Sequence, residues 1–132
     1  MVEGPFNSIE KITIGPQGGI ALCAVHGTGR GFLSILDLNG RAWRQHLPGH
    51  TDRVGDIALS ADENLAASVS LDHTVRLWDL REGAETARLT LDAGLVAVAI
   101  AHNGSWVAAG TESGTLHFVR PTWPEAESIP MA

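Results

Sequence analysis

A shift of 41 residues lays one part of this chain over another. Val54-Gly55-Asp56-Ile57-Ala58-Leu59, a turn at 61–64, the run 65–70, Leu71-Asp72-His73 and the run 74–80 make one unit. Its strands and first turn superpose on 96–101, a turn at 102–105, 106–111 and 115–119. Upstream, 12–14, a turn at 16–19, 20–25 and 32–38 follow the same order, with a second loop about three residues longer. A unit of this size cannot bury its apolar faces alone, so consecutive copies must stack into a shared core.

Within each copy the runs are short, rich in Val, Ile, Leu, Ala and Thr, and punctuated by Gly, Asn, Asp or Pro. They lack a sustained 3.6-residue period, which points to an all-β architecture. Residues 93–111 carry no charge and have the length of a membrane-spanning helix. His102-Asn103-Gly104-Ser105 divides them, and Asn-Gly between two apolar runs is a hairpin signal, so two strands are expected. The uncharged run 12–29 is broken in the same way by Gly15-Pro16-Gln17-Gly18-Gly19. The best helical candidate, 82–89, is too short to stand alone and contains Gly83, so it is read as a turn and a strand. The segments 41–47 and 85–91 are expected to be the fourth strands of the first two copies.

The period lies within the 40–45 residues of a four-stranded propeller blade. The middle copy carries Gly49-His50 at its entrance, Asp72 in the turn before its third strand and Trp78-Asp79 at that strand's end. These residues, in this order, resemble the repeats of the WD-repeat β-propeller family. The first copy keeps Asp37 but has Leu36 in the tryptophan's place; the third has Val119-Arg120 there and lacks the Gly-His pair. The resemblance implies a partial β-propeller of three four-stranded antiparallel blades, at roughly 9–47, 50–91 and 92–120. Closed propellers have typically four to eight blades, so three are expected to be completed by oligomerisation, by a partner chain, or by a longer chain of which these are a part. Three prolines and two glutamates in 121–132 argue against a fourth strand for the last blade, and an extended or disordered tail is expected.

In the family, the His, the turn Asp, a Ser or Thr of the second strand and the Trp form a buried hydrogen-bonded set. Carried over, these are His50, Asp72, Ser68 and Trp78. An imidazole, a hydroxyl and an indole N–H each need a partner when buried, and a chain running Asp, His, Ser, Trp satisfies all of them. The competing reading is a Ser-His-Asp hydrolase triad, which the absence of a nucleophile elbow around Ser68 disfavours. Gly27-Thr28-Gly29-Arg30-Gly31 resembles a phosphate loop in composition, but a strand-like run follows where a helix N-terminus is required. His26, His46, His73, His102 and His117 have no metal-ligand spacing, and Cys23 falls where a small core residue is expected. No cofactor and no metal are expected.

The net charge is −6, with one lysine and no basic run, which leaves no footprint for a nucleic-acid backbone or an anionic membrane surface. One cysteine rules out an internal disulfide. The start, Met1-Val2-Glu3-Gly4-Pro5, lacks the features of a signal peptide, and a cytoplasmic location is expected. What the resemblance implies is a non-catalytic scaffold or sensing module that presents one rim to a protein partner. The candidate rim residues are Thr51, Asp52, Arg53, Leu71 and His73, beside the strand ends near His50 and Asp72. The alternatives are an end fragment of a larger bacterial signalling or NTPase-linked propeller, and a small ligand-binding or hydrolase propeller.

Overall fold

Short apolar runs joined by tight turns can satisfy their backbone groups only by pairing with their neighbours, and this chain pairs them in sequence order. The structure, a computed structural model, describes residues 7–27, 30–120 and 126–130, the last five as backbone. Blade 1 consists of β1 (Ser8–Ile14), β2 (Ile20–Gly27), β3 (Arg30–Asp37) and β4 (Ala42–Leu47). Blade 2 consists of β5 (Val54–Leu59), β6 (Leu65–Ser70), β7 (Thr74–Asp79) and β8 (Ala84–Thr90). Blade 3 consists of β9 (Leu95–Ile100), β10 (Val107–Thr111), β11 (Thr115–Val119) and β12 (Ala126–Pro130). Each is a four-stranded antiparallel meander in chain order, and the described residues contain no helix.

The repeat is also written in the backbone. Gly18, Glu63 and Gly104 turn from first to second strands with φ of 74, 63 and 75°. His73 and Gly114 do the same between second and third strands, and Arg41 and Gly83 between third and fourth. Glycine enters this left-handed region without steric cost, whereas Glu63, His73 and Arg41 hold the same place with a side chain.

Three details differ from the sequence expectations. The first strand begins at Ser8, where a bulge between Ile9 and Lys11 lets pairing continue past the expected start at Ile12. The extra residues of the first copy lengthen β2 and β3 to 8 residues each, against 6 in β6 and β7, and do not form a long loop. The region 121–132, expected to provide no fourth strand, does provide one: β12 pairs with β11 from Val119↔Ala126 to Thr115↔Pro130. It is the edge strand of its sheet, and an edge tolerates a proline because only one side of the strand must donate. The rest of that expectation falls on 121–125 and 131–132, outside the described residues.

The core lies between blades. Ile20, Leu22, Leu33, Ile35 and Leu47 of blade 1 meet Val54, Ile57, Ala66, Trp78 and Leu80 of blade 2. The other face of blade 2, through Ala67, Val69, Val75 and Leu77, meets Leu95, Val107, Ala109 and Val119 of blade 3. Complete burial of a Leu or Ile stabilises by about 1.5–3 kcal/mol, so these joints dominate the fold's stability. The backbones of β5 and β9 approach closely: a Cβ on Gly55 would lie 2.4 Å from the Leu95 carbonyl oxygen. Gly55→Ala is therefore expected to force blades 2 and 3 apart at a cost of about 1–3 kcal/mol, checked by thermal unfolding.

Candidate functional site

The middle blade gathers its polar side chains because strand alternation puts every second residue on one face. Ser68 on β6 faces blade 1, and Trp78 two strand positions along the neighbouring β7 lies beside it. His50 enters from the connection between β4 and β5, and Asp72 caps the turn between β6 and β7. The Asp72 carboxylate lies 2.8 Å from His50 Nδ1. His50 Nε2 is 2.7 Å from Ser68 Oγ, and the Trp78 indole donates to the same oxygen at 2.9 Å. One proton per bond satisfies the whole chain: Nδ1–H donates to Asp72, Ser68 donates to Nε2, and Trp78 donates to Ser68.

Electrostatics agree with a neutral imidazole. Burial lowers the His50 pKa from its ordinary 6.5, and the hydrogen bond and charge of Asp72 do not restore it. For Asp72, burial alone raises the pKa, but hydrogen bonds from Thr74, His50 and the Thr51 amide outweigh it and bring the value to about 2. Both shifts act in one direction on stability. The unfolded chain binds protons more readily than the folded one, so stability rises with pH across each titration. Unfolding is expected to become easier as pH falls below 6.5 through His50, and again from about 4 to about 2 through Asp72. The Asp72 part is on the order of 2 kcal/mol, read from denaturant midpoints across that range.

Sequence reasoning missed the outer half of this network. Thr74 Oγ1 hydrogen-bonds the second Asp72 oxygen and accepts from Arg76 Nε at 3.2 Å. The Arg76 guanidinium, almost wholly buried, pairs with Glu85 at 3.0 Å and lies 3.7 Å from Asp72. The signal was present: Thr74 and Arg76 alternate along β7, as residues sharing one face must, and Asp72 stands two residues before them in the turn. A second link, also missed, joins blades: Asp56 Oδ2 accepts from the Val98 amide of blade 3 at 3.0 Å.

The Asp72–His50–Ser68 row has the distances of a hydrolytic triad but not its access. Ser68 is 0% exposed, its oxygen already accepts the Trp78 proton, and no substrate carbon can approach it. The candidate rim residues come together on the surface above the set. The Leu71 amide bonds the Arg53 carbonyl at 3.0 Å, and the Thr51 amide bonds Asp72 at 3.0 Å. Thr51, Asp52, Arg53 and His73 are exposed, as is Leu71 at 37%. Arg53 reaches Glu10 of blade 1 at 3.6 Å, so the rim is continuous across two blades.

The other candidates are dispersed. Cys23 is buried on β2, and burial raises its thiol pKa. Trp106 packs edge-on to Phe118 and lies under the Arg120 guanidinium, 4.3 Å from its ring centre. Gly27 ends β2 and Gly31 lies in β3, while 28–29 fall outside the described residues. Among the described residues no three His, Cys, Asp or Glu side chains gather as metal ligands. A cleft of about 320 Å³ at the opposite rim is lined by Ser60, Asp62, His102 and Asn103. Its Asp62 carboxylate is held low by hydrogen bonds from Ser60 and Asn64 of its own turn.

Four-stranded blades stacked face to face, one closed by an Asp–His–Ser–Trp chain, define an arc of a β-propeller. The family described as "WD domain, G-beta repeat" matches residues 42–79, from β4 of blade 1 through β7 of blade 2. Protein groucho of Drosophila melanogaster is 28% identical over 95 residues, which are 72% of this chain and 13% of that protein. The β-propeller domain of Cps50 (Swd1) from Myceliophteria thermophila superposes with a TM-score of 0.80 at 17% identity, over 95% of this chain and 41% of that one. Residues 42–79 thus match a WD repeat, the chain as a whole has the fold of a β-propeller arc, and it spans a minor part of both relatives.

Proposed function

We propose that this chain is a non-catalytic protein-interaction module that docks a protein partner on the rim formed by Thr51, Asp52, Arg53, Leu71 and His73. The observation that carries the reading is the burial of Ser68, His50 and Asp72: the groups capable of chemistry are engaged in holding the blade, and the exposed groups above them are suited to contact. Leu71 supplies an apolar anchor, and Arg53, Asp52 and His73 supply a polar surround, the composition of a small protein-contact patch. Similarity to WD-repeat proteins supports the same reading, while a fold by itself names no partner. The lone thiol of Cys23 fits a reducing compartment, and a cytoplasmic location is part of the proposal.

Leu71→Asp with Arg53→Glu tests this. Both positions are exposed, so the variant is expected to melt with the parent and to lose the partners that the parent retains in cross-linking from its own cells. Retention of every partner by the folded variant would contradict the rim assignment. Turnover of a generic ester by the parent, abolished in Ser68→Ala, would contradict the non-catalytic one.

A further inference from the structure

The two joints between blades differ where the turns from first to second strands meet. In each of these turns one residue, Gly18, Glu63 or Gly104, donates its amide to the carbonyl three positions back, on Gly15, Ser60 or Ala101. The three residues also share the left-handed backbone, so their places in the repeat correspond.

At the joint of blades 1 and 2, Glu63 crosses from its own turn to its neighbour's. Its carboxylate accepts from the Gln17 amide at 2.7 Å. It lies over two glycines of blade 1: a Cβ on Gly15 would collide with Glu63 Oε2, and one on Gly19 would lie 3.7 Å from Oε1. One extended side chain thus closes the gap between the two turns.

At the joint of blades 2 and 3 the residue in the place of Glu63 is Gly104, which has no side chain to send across. The result is the cleft of about 320 Å³, lined by Ser60, Asp62 and Leu65 of blade 2 and by His102, Asn103 and Gly104 of blade 3. Ser60 and Asp62 are the counterparts of Gly15 and Gln17, on which Glu63 rests. The cleft is therefore the Glu63 seat of the first joint, repeated and left open.

The seat has also changed sign. Gln17 offers an uncharged side chain and an amide N–H, which suit a carboxylate. Its counterpart Asp62 brings an exposed carboxylate, fixed by the Ser60 hydroxyl at 2.7 Å and the Asn64 amide at 3.0 Å. Both bonds favour its charged form. An anion entering the cleft would be repelled by that charge, and a cation would be paired by it. Arg81 does not line the cleft; its side chain is 71% exposed and lies 3.7 Å from Asp79.

We propose that this cleft binds one lysine or arginine side chain of a protein partner, seated as Glu63 is seated at the first joint and paired with Asp62. Its volume is at the small end of ligand sites, which begin at about 300 Å³, and its counterpart is filled by a single side chain. The aliphatic stem of a long cationic side chain packs on Leu65 while its head reaches the carboxylate. The site is separate from the rim of Thr51 and Leu71, which lies at the other end of β5.

Nuclear magnetic resonance titration of the full chain with a capped glycine-arginine-glycine peptide tests it, with the glutamate-centred peptide as control. The amides of Asp62, Leu65, His102 and Gly104 are expected to shift saturably with the arginine peptide and to stay in place with the control. Asp62→Asn keeps an oxygen to accept from Ser60 and Asn64, and by removing the charge it is expected to weaken binding about tenfold. Gly104→Gln puts a side chain into the seat, on a backbone conformation that Glu63 already adopts, and is expected to abolish the shifts. Spectra unchanged outside the two turns establish that the variants fold, and should Gly104→Gln fail there, Asp62→Asn carries the test. Equal response to both peptides, no saturable shift in the two turns, or an Asp62→Asn variant that binds like the parent would overturn the proposal. Shifts confined to 51–53 and 71–73 would overturn it as well, and would move the cation to the other rim.

Discussion

Trp78→Ala lowers the free energy of unfolding by about 3–5 kcal/mol, the expected cost of removing a large buried aromatic. The ring is 3% exposed and sits in the joint with Leu33, Ile35 and Leu47 of blade 1, so its loss opens a cavity shared by two blades. The same substitution removes the donor to Ser68 at 2.9 Å. Trp78→Phe separates the two effects: it keeps much of the volume, removes the indole N–H, and is expected to cost nearer 1–2 kcal/mol. Denaturant midpoints at one fixed protein concentration measure both, since association of the folded chain adds to apparent stability. Equal midpoints for Trp78→Ala and the parent would remove the indole from the blade's core.

Asp72→Ala is expected to cost roughly 2–5 kcal/mol, more than the loss of one hydrogen bond. The carboxylate accepts from His50, from the Thr51 and Thr74 amides and from the Thr74 hydroxyl, with Arg76 3.7 Å away. Removing it orphans several buried donors at once and leaves Arg76 with Glu85 as its remaining acidic neighbour in the blade. Asp72→Asn preserves the shape but lacks the charge and has one acceptor oxygen, so its loss is smaller. In both variants the decline of stability between about pH 4 and about pH 2 is expected to flatten, because the group that titrates there is gone. A variant that keeps that slope would assign it to another carboxylate.

The fold was legible where local rules and the period agreed. Asn103-Gly104 and Gly18-Gly19 marked turns that the backbone uses, and the 41-residue spacing reappears in Glu63 and Gly104 and in His73 and Gly114 as positive φ. The His50, Ser68, Asp72 and Trp78 set was found through a family resemblance, since residues 28 positions apart in sequence, as His50 and Trp78 are, reveal no contact through periodicity. What was missed has physical causes. β12 escaped because proline in a sequence weighs against a strand unless the strand is known to lie at an edge, a fact of topology. Arg76 escaped because a charged residue in an apolar strand reads as solvent-facing until a partner such as Glu85, nine residues away on the next strand and partly buried, is brought to it. The bridge from Asp56 to Val98 depends on the bulge that turns β5 toward its neighbour, and bulges leave little trace in composition.

The account rests on Ser68 as a structural hydroxyl, bonded on both sides and closed to solvent. Equilibrium unfolding of Ser68→Ala tests that most directly. Removal of the hydroxyl leaves the Trp78 N–H and His50 Nε2 without a partner in the core, so a loss of about 1–3 kcal/mol is expected. A nucleophile held ready for chemistry would give the opposite result, a variant as stable as the parent, and that outcome would contradict the structural role assigned to the whole set.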